Sequence, residues 1–174
     1  MSVETHEACC RIPTTSCPPP VAACQFLEGD KREACPCPVC RNTGRKVTSV
    51  TLDHHIPSPA REKLGSDATF CLNPDCDVIY CNSTGFIVHK GETTLPVTIK
   101  DLGDDVFVCY CFEHKRGDLR DDLKEKGKTD IPDQIRKGIK EGRCDCERKN
   151  PQGACCLGNV ANAIKMIQSE VKWR

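Results

Sequence analysis

The chain has 174 residues, with 25 basic and 25 acidic side chains and therefore no formal net charge at neutral pH. A nucleic-acid-binding protein usually needs a basic surface to displace counterions from phosphates, so this balance disfavours that class. Sixteen residues are cysteine, a density typical of disulfide scaffolds and of metal-binding proteins.

The amino-terminal sequence separates these two classes by compartment. It reads MSVETHEACCRIPTTSC, without the apolar run of a secretion signal, and no later stretch is long and apolar enough to span a bilayer. We therefore expect a cytoplasmic protein that is not inserted into a membrane, in a compartment that keeps thiols reduced. The CxC and CC spacings also fit relaxed disulfide geometry poorly. The cysteines are accordingly expected to bind metal.

Residues 1–34 are predicted to form a flexible tail. Four cysteines lie there among prolines and threonines, without helical or strand periodicity: Cys9, Cys10, Cys17 and Cys24. Soft thiolates of this kind suit copper(I) or mercury(II). Cysteines that are incidental to a disordered tail are the alternative, and the sequence leaves both open.

Residues 35–105 are predicted to form a β-rich subdomain. Four stretches have the apolar and β-branched residues of strands: VTSVTL, DVIYC, GFIVHK and LPVTIK. Polar turn formers and Gly85 separate the second stretch from the third, which predicts a hairpin.

Two cysteine pairs in this subdomain have the spacing of metal ligands. Cys37 and Cys40 form the CPVC motif, and Cys71 and Cys76 lie in FCLNPDC. Four thiolates in a tetrahedron suit a closed structural zinc site, and a single iron ion would use the same ligands. A buried, unligated thiol is the alternative reading of Cys76.

Two neighbouring histidines, His54 and His55, lie in a polar stretch. We expect both to be solvated and leave them out of the zinc site.

Residues 106–174 are predicted to be mainly helical after a strand at VFV. Leu119 and Leu123 lie four residues apart, and isoleucines at 131, 135 and 139 repeat that spacing. Asp130 is a candidate amino-terminal cap of the second helix, and Gly142 is positioned to end it. A third helix is predicted from one apolar face: Leu157, Val160, Ala161, Ile164, Ile167 and Val171.

The thiols of the helical part are candidates for a 2Fe-2S cluster, which needs two thiolates for each iron. Between Cys111 and Cys146 lie 34 residues, enough for two short helices that return the chain to its start. Helix amino-termini stabilise the negative charge of such a cluster. The candidate ligands are Cys109, Cys111, Cys144, Cys146, Cys155 and Cys156.

These motifs resemble known families. VCYC, the interval to Cys146 and the NPQGACC stretch resemble the bacterioferritin-associated-ferredoxin (BFD) type of 2Fe-2S domain. Together with CPVC and FCLNPDC, they resemble the amino-terminal region of CopZ-type copper chaperones over residues 37–165. That region combines one zinc ion with one 2Fe-2S cluster, and the resemblance implies the same pair of cofactors here.

The resemblance also implies a ligand set. Zinc would be held by Cys37, Cys40, Cys71 and Cys76, and the cluster by Cys109, Cys111, Cys146 and one cysteine of the CC pair. We prefer Cys156 because it lies in the first turn of the last helix. The choices between Cys155 and Cys156 and between Cys144 and Cys146 stay open. The MxCxxC copper loop of the family does not occur in this sequence.

We therefore expect an α+β fold in which a small β-rich zinc-binding subdomain precedes a helical, BFD-like 2Fe-2S subdomain. The expected function is one-electron transfer, soft-metal (copper) handling, or both, in metal homeostasis. We expect no enzyme, because no catalytic combination of side chains stands out. Expected partners are a copper transporter, a metallochaperone or a redox protein. The alternative is a non-redox interaction or sensing module that docks on a transporter or oxidoreductase.

Overall fold

The computed structural model describes residues 34–172, with side chains described as far as residue 170. The predicted tail therefore lies, except for its last residue, outside the described residues. Among residues 34–172, no helix has the length and apolar character that crossing a bilayer requires.

The first part of the fold is a small antiparallel sheet with two short helices. In chain order, its elements are β1 (Arg45–Val47), α1 (Ser49–His55), α2 (Ala60–Leu64), β2 (Ala68–Phe70), β3 (Val78–Asn82) and β4 (Ile87–His89). The strands lie in the order β1-β2-β3-β4. Leu52, Phe70 and Tyr80 are fully buried at the centre of this part.

The predicted hairpin is confirmed by the pairing of β3 with β4. Asn82 fixes its turn, because its Oδ1 atom accepts a hydrogen bond from the amide of Phe86 at 2.8 Å. Gly85 has a φ of +88°, a conformation that glycine adopts without a steric cost. The Nδ2 atom of Asn82 also donates to the Leu64 carbonyl, which attaches α2 to the hairpin.

Two predicted strands are wrong. In VTSVTL, Val47 is the last residue of β1, and the rest of the stretch leads into α1. The buried residues of α1, Thr51, Leu52 and His55, follow a helical spacing. LPVTIK forms turns, because the carbonyl of Val97 accepts hydrogen bonds from the amides of Lys100 and Asp101. In both stretches, tertiary packing outweighs the strand preference of β-branched residues.

The second part is mainly helical, as predicted. Its elements are β5 (Phe107–Cys109), β6 (His114–Lys115), α3 (Arg116–Lys126), α4 (Ile131–Lys140), α5 (Cys146–Lys149) and α6 (Leu157–Lys172). The combination of a small antiparallel sheet with these helices is an α+β fold. The division of the chain near residue 105 stays a prediction.

The helical core follows the predicted faces with one exception among the described side chains, which do not include that of Val171. Leu119, Leu123, Ile135 and Ile167 are buried together, whereas Ala161 is exposed and the buried alanine of α6 is residue 163. Helix α4 begins after Asp130, but the side chain of Asp130 makes no capping hydrogen bond. Helix α4 ends at Lys140, and Gly142 follows with a φ of +71°.

The two parts are joined by α1, which packs against α5. Thr51 Oγ1 donates a hydrogen bond of 2.5 Å to the Glu147 carbonyl. His55 lies one helical turn further along α1 and is fully buried, whereas its neighbour His54 is exposed. The expectation that both histidines are solvated is therefore wrong for His55, because the contact with α5 covers it.

Burial controls the protonation of His55. Neither ring nitrogen makes a hydrogen bond of normal geometry, although the nearby backbone of Arg148 and Lys149 acts to raise the pKa of the ring. Burial, with a smaller contribution from His54, lowers the pKa of His55 to about 4. The neutral ring is therefore favoured in the folded protein, and protonation favours unfolding. This contribution to stability is complete above pH of about 6.5, the unfolded pKa, and declines as the pH falls towards 4.

We predict that His55→Leu keeps or raises the melting temperature at pH 7, because it removes two buried ring nitrogens that make no hydrogen bond of normal geometry and fills a similar volume. Its advantage over the natural protein should grow between pH 7 and pH 5, since only the natural protein carries the histidine that must protonate. Thermal unfolding of the zinc-loaded protein measures this. His54→Leu, on the exposed ring, is the matched control. A melting temperature for His55→Leu that falls in parallel with the natural protein would contradict the assignment.

Candidate metal centres

The four predicted zinc ligands lie on two short loops of the first part. Cys37 and Cys40 lie on a tight turn before β1, closed by a 2.8 Å hydrogen bond from the amide of Arg41 to the Cys37 carbonyl. Arg41 has a φ of +60°, so the chain reverses sharply after the second thiol. Cys71 follows β2 and Cys76 precedes β3, which places the second pair beside the first.

The structure brings these four sulfurs into one cluster, all within 4.8 Å of one another. The Sγ atoms of Cys37 and Cys76 are 3.8 Å apart, and those of Cys40 and Cys71 are 3.6 Å apart. A tetrahedral site with metal–sulfur bonds of about 2.3 Å has sulfurs about 3.8 Å apart. The spacing therefore fits one tetrahedral ion, with Cys76 beside the other three sulfurs.

The electrostatics of this cluster favour a bound cation. Burial raises the pKa of Cys71 to about 12 and also raises that of Cys76. Cys40 differs: burial acts to raise its pKa, but a hydrogen bond from the backbone of Asn42 and contacts with neighbouring thiols lower it to about 7. Four thiolates are unfavourable in this space without a compensating charge, which a divalent ion supplies.

A buried lysine, Lys100, supports the second ligand loop. Its Nζ atom donates hydrogen bonds to the carbonyls of Asn73 at 2.5 Å and Cys76 at 3.1 Å. The ammonium also lies 6.0 Å from the ring centroid of Phe70. Its positive charge opposes the effect of burial on the pKa of Cys71. Lys100 therefore both shapes the loop and offsets part of the thiolate charge.

A second group of thiols lies in the helical part. Cys109 ends β5, Cys111 lies in the turn towards β6, Cys146 begins α5, and Cys156 immediately precedes α6. The amide of Val160 donates to the Cys156 carbonyl, which places Cys156 at the start of α6 as predicted.

The sulfurs of this group form a pair and a trio. In the pair, the Sγ atoms of Cys156 and Cys109 are 3.0 Å apart. In the trio, the Sγ atom of Cys111 lies 3.5 Å from Cys146 and 3.8 Å from Cys144, and the Cys144 and Cys146 sulfurs are 3.2 Å apart. Cys146 also contacts Cys156, which links the two sets.

The structure separates Cys155 from Cys156, but it does not separate Cys144 from Cys146. Cys156 is 2% exposed and lies against Cys109, whereas Cys155 is exposed. The group therefore includes Cys156 and leaves out Cys155. Cys144 and Cys146, in contrast, both belong to the trio.

Backbone amides point at the sulfurs of this group. The amide of Asp145 donates to the Cys111 Sγ atom at 3.3 Å, and the amide of Cys156 bonds to the Cys146 sulfur. The side-chain hydrogen bond from Cys156 is the main cause that lowers the pKa of Cys146 to about 5 and of Cys109 to about 7. Burial raises the pKa of Cys111, and the contacts with Cys109 and Cys146 raise that of Cys156. The amide hydrogen bonds therefore offset only part of the cost of negative sulfur in this group.

Two buried tyrosine hydroxyls fasten the cysteine-bearing loops to the first part of the fold. Tyr80 on β3 donates a 2.6 Å hydrogen bond to the Pro151 carbonyl, in the stretch between Cys146 and Cys156. Tyr110, between Cys109 and Cys111, donates a 2.6 Å hydrogen bond to the Pro96 carbonyl. The positions of the thiols therefore depend on residues far from them in sequence.

The turn before α6 is ordered by Asn150. Its Nδ2 atom donates to the Ala154 carbonyl at 2.5 Å, and its Oδ1 atom accepts from the amide of Gln152 at 3.1 Å. Asn150 is 1% exposed, so this network lies in a dry environment and stabilises the position of Cys156.

Comparisons with known proteins agree with the first centre. Residues 34–94 match a family model described as a zinc binding domain, zf_CopZ. The X-ray structure of the Archaeoglobus fulgidus CopZ N-terminal domain is similar, with a TM-score of 0.60 and 27% sequence identity over 72% of this chain and 95% of that chain. No curated protein matches the sequence. Together, the two matches support a CopZ-type domain and a bound zinc ion.

We predict that Lys100→Met shifts the midpoint of zinc release to higher pH, by on the order of 0.5 to 1 pH unit. Without the Lys100 ammonium nearby, protons compete better with zinc for the thiolates. Zinc release across a pH series, followed with a chromogenic chelator, measures this shift. Lys100→Arg should restore much of the retention, since it keeps the charge. Lys46→Met, on the exposed side of β1, is the matched control. Identical release midpoints for Lys100→Met and the natural protein would show that Lys100 does not act on the thiolates.

Proposed function

We propose that the protein is a CopZ-like metalloprotein that carries a structural zinc ion and a 2Fe-2S cluster and serves copper or other soft-metal homeostasis. The zinc ligands in this proposal are Cys37, Cys40, Cys71 and Cys76. The cluster ligands are Cys109, Cys111, Cys146 and Cys156. The role is that of a carrier of electrons, metal ions or both, and not that of an enzyme.

The zinc assignment is supported by the geometry of the first centre. All four sulfurs are used, their spacing fits a tetrahedron, and three of the four cysteines are buried. A closed site of this kind leaves no position for a substrate or water, so the ion stabilises the fold and does no chemistry. The match of residues 34–94 to a zinc binding domain agrees with this role.

The observation that carries the cluster assignment is the grouping of the second set of thiols. A single metal ion would draw four sulfurs into one tetrahedron, as the first centre does. Here Cys109 and Cys156 form one pair, and Cys111 lies with Cys146 in a neighbouring group. Two adjacent sulfur pairs are the donor set that a binuclear cluster requires, with two thiolates for each iron.

The surroundings of the thiols also suit a cluster. An oxidised 2Fe-2S cluster with four thiolates carries a formal charge of about −2, from two ferric ions, two sulfides and four thiolates. The amide hydrogen bonds to Cys111 and Cys146 stabilise negative sulfur. When bound, such a cluster supplies one-electron redox chemistry. The two tyrosine anchors hold its ligand loops in place, which limits the rearrangement that accompanies a change of charge.

The proposed setting is the cytoplasm, and the proposed partner is a copper transporter, a metallochaperone or a redox protein. The resemblance to CopZ favours copper as the metal. In the alternative, a non-redox sensing or docking module, the cluster exchanges no electrons with a partner reductase, and measured electron acceptance from a reductase separates the two roles.

The proposal predicts about two iron, two sulfide and one zinc per chain after purification without oxygen. The protein should be red-brown and bleached by dithionite. Elemental analysis and an absorption spectrum measure both. A colourless protein that contains zinc and no iron would overturn the cluster assignment and leave the zinc assignment intact.

We predict that Cys156→Ser removes most of the cluster absorbance, because it deletes a metal–sulfur bond, whereas the adjacent Cys155→Ser changes the spectrum little. Both variants should keep their zinc, because the first centre uses neither residue. Visible absorption and iron content, compared at equal protein concentration, give the result. Loss of the cluster in Cys155→Ser with retention in Cys156→Ser would show that the other cysteine is the ligand.

A further inference from the structure

The second centre holds one thiol more than a cluster uses. Cys144 is half-buried, and its Sγ atom lies 3.2 Å from Cys146 and 3.8 Å from Cys111. With the 3.5 Å separation of Cys111 from Cys146, the three sulfurs form a nearly equilateral triangle. Cys109 and Cys156 do not belong to this compact group.

The size of the triangle suits a single metal ion. A point equidistant from the three sulfurs lies about 2.0 Å from each of them, and metal–thiolate bonds are about 2.3 Å long. An ion slightly above the sulfur plane, or a small expansion of the triangle, gives normal bonds. Within the part of the chain that the structure describes, this compact group contains no imidazole or carboxylate as a fourth ligand.

We propose that Cys111, Cys144 and Cys146 form a three-thiolate site for copper(I), which is occupied when the cluster is absent. Soft thiolate ligands select copper(I). Zinc in structural sites takes four ligands, which this trio does not supply. Each thiol releases its proton to solvent on binding, so one copper(I) and three thiolates give a formal charge of −2.

The trio is open to an incoming ion. A cavity of about 410 Å³ reaches the surface beside Cys111 and is also lined by Phe112, Glu113, His114, Gln134 and Arg143. Cys144 and Cys146 are half-buried, so they border solvent. The guanidinium of Arg143 lines this cavity, lies 5.2 Å from the ring centroid of Phe112 and pairs with the Glu141 carboxylate at 2.6 Å.

Copper and the cluster are alternative occupants, because both use Cys111 and Cys146. This exclusion rests on the proposed function, whereas the three-thiolate site itself rests on the sulfur positions alone. Cys144 is then the residue that distinguishes the two states, since it binds copper but not the cluster. The chain would respond to copper excess by releasing both iron ions and both sulfides to solvent and gaining copper at the same place.

The test compares Cys144→Ser with the matched control Cys155→Ser and the natural protein, all as full chains. In the first arm, cluster-free, zinc-loaded protein is titrated with copper(I) under nitrogen against a chromophoric copper(I) chelator. The amino-terminal cysteines are identical in all three proteins, so the differences report on the trio. We expect Cys144→Ser to lose one tight equivalent, or to hold it at least about tenfold more weakly, while Cys155→Ser behaves like the natural protein.

The second arm starts from cluster-loaded protein and measures iron released by copper(I) with an iron chelator. Release should be at least about tenfold slower in Cys144→Ser than in Cys155→Ser, because the entering ion has lost its first free thiolate. Equal copper affinity and equal iron release in the two variants overturn the proposal. Loss of the cluster in Cys144→Ser also overturns it, because Cys144 would then be a cluster ligand.

If the cluster assignment fails but the three-thiolate site is right, the measurements give a different result. Natural protein without iron but with the extra copper equivalent would reject the cluster and keep the three-thiolate site. Zinc content and far-ultraviolet circular dichroism confirm that each variant is folded before the copper comparison is made.

Discussion

The negative charge of several thiolates in a small buried space is the constraint on which the rest of this structure depends. Four thiols within 4.8 Å of one another are stable as ligands only when a cation cancels their charge. The ion joins the turn before β1 to the loop between β2 and β3. The large apolar side chains of these two loops, Val39 and Leu72, are exposed and do not pack the loops together. The sheet, whose strands have three to five residues, then has a fixed edge, and Lys100 offsets part of the remaining negative charge from behind the loop.

The thiols of the second centre must also be stabilised as negative sulfur, but they form a pair and a trio and not one group of four. Its thiols come from three segments of the chain, and none of these segments is held in place by helix packing alone. Tyr80 and Tyr110 fasten two of them to backbone carbonyls across the boundary between the parts, and Thr51 does the same for α5. Hydrogen bonds in a buried, low-dielectric environment are costly to leave unmade, so these anchors are more selective than apolar contacts.

Much of the fold and of both centres follows from local patterns in the sequence. The CxxC and CxC spacings, the Ile131–Ile139 periodicity and the turn at Gly85 each need only a few neighbouring residues, and the structure has the corresponding loops, helix and hairpin. The wrong strands, VTSVTL and LPVTIK, are stretches in which side-chain preference and tertiary packing disagree. His55 and Lys100 were missed as buried residues for the same reason: the groups that cover them lie about 25 to 95 residues away, and one sequence gives no signal of those contacts. The CxC spacing of Cys144 and Cys146 is the one local sign that Cys144 joins the second centre as a fifth thiol.

The hydrogen bond from Tyr80 to Pro151 has a consequence for the order in which the protein matures. Strand β3 carries Tyr80 four residues after Cys76, and both leave the ribosome well before Pro151 is synthesised. Zinc can therefore close the first centre while the helical part is still being made, and the completed sheet then presents the hydroxyl that positions the later cysteines. Before that point the thiols of the second centre lie on segments that have not yet met the Tyr80 hydroxyl. Folding of the zinc-binding sheet therefore precedes the positioning of the later cysteines.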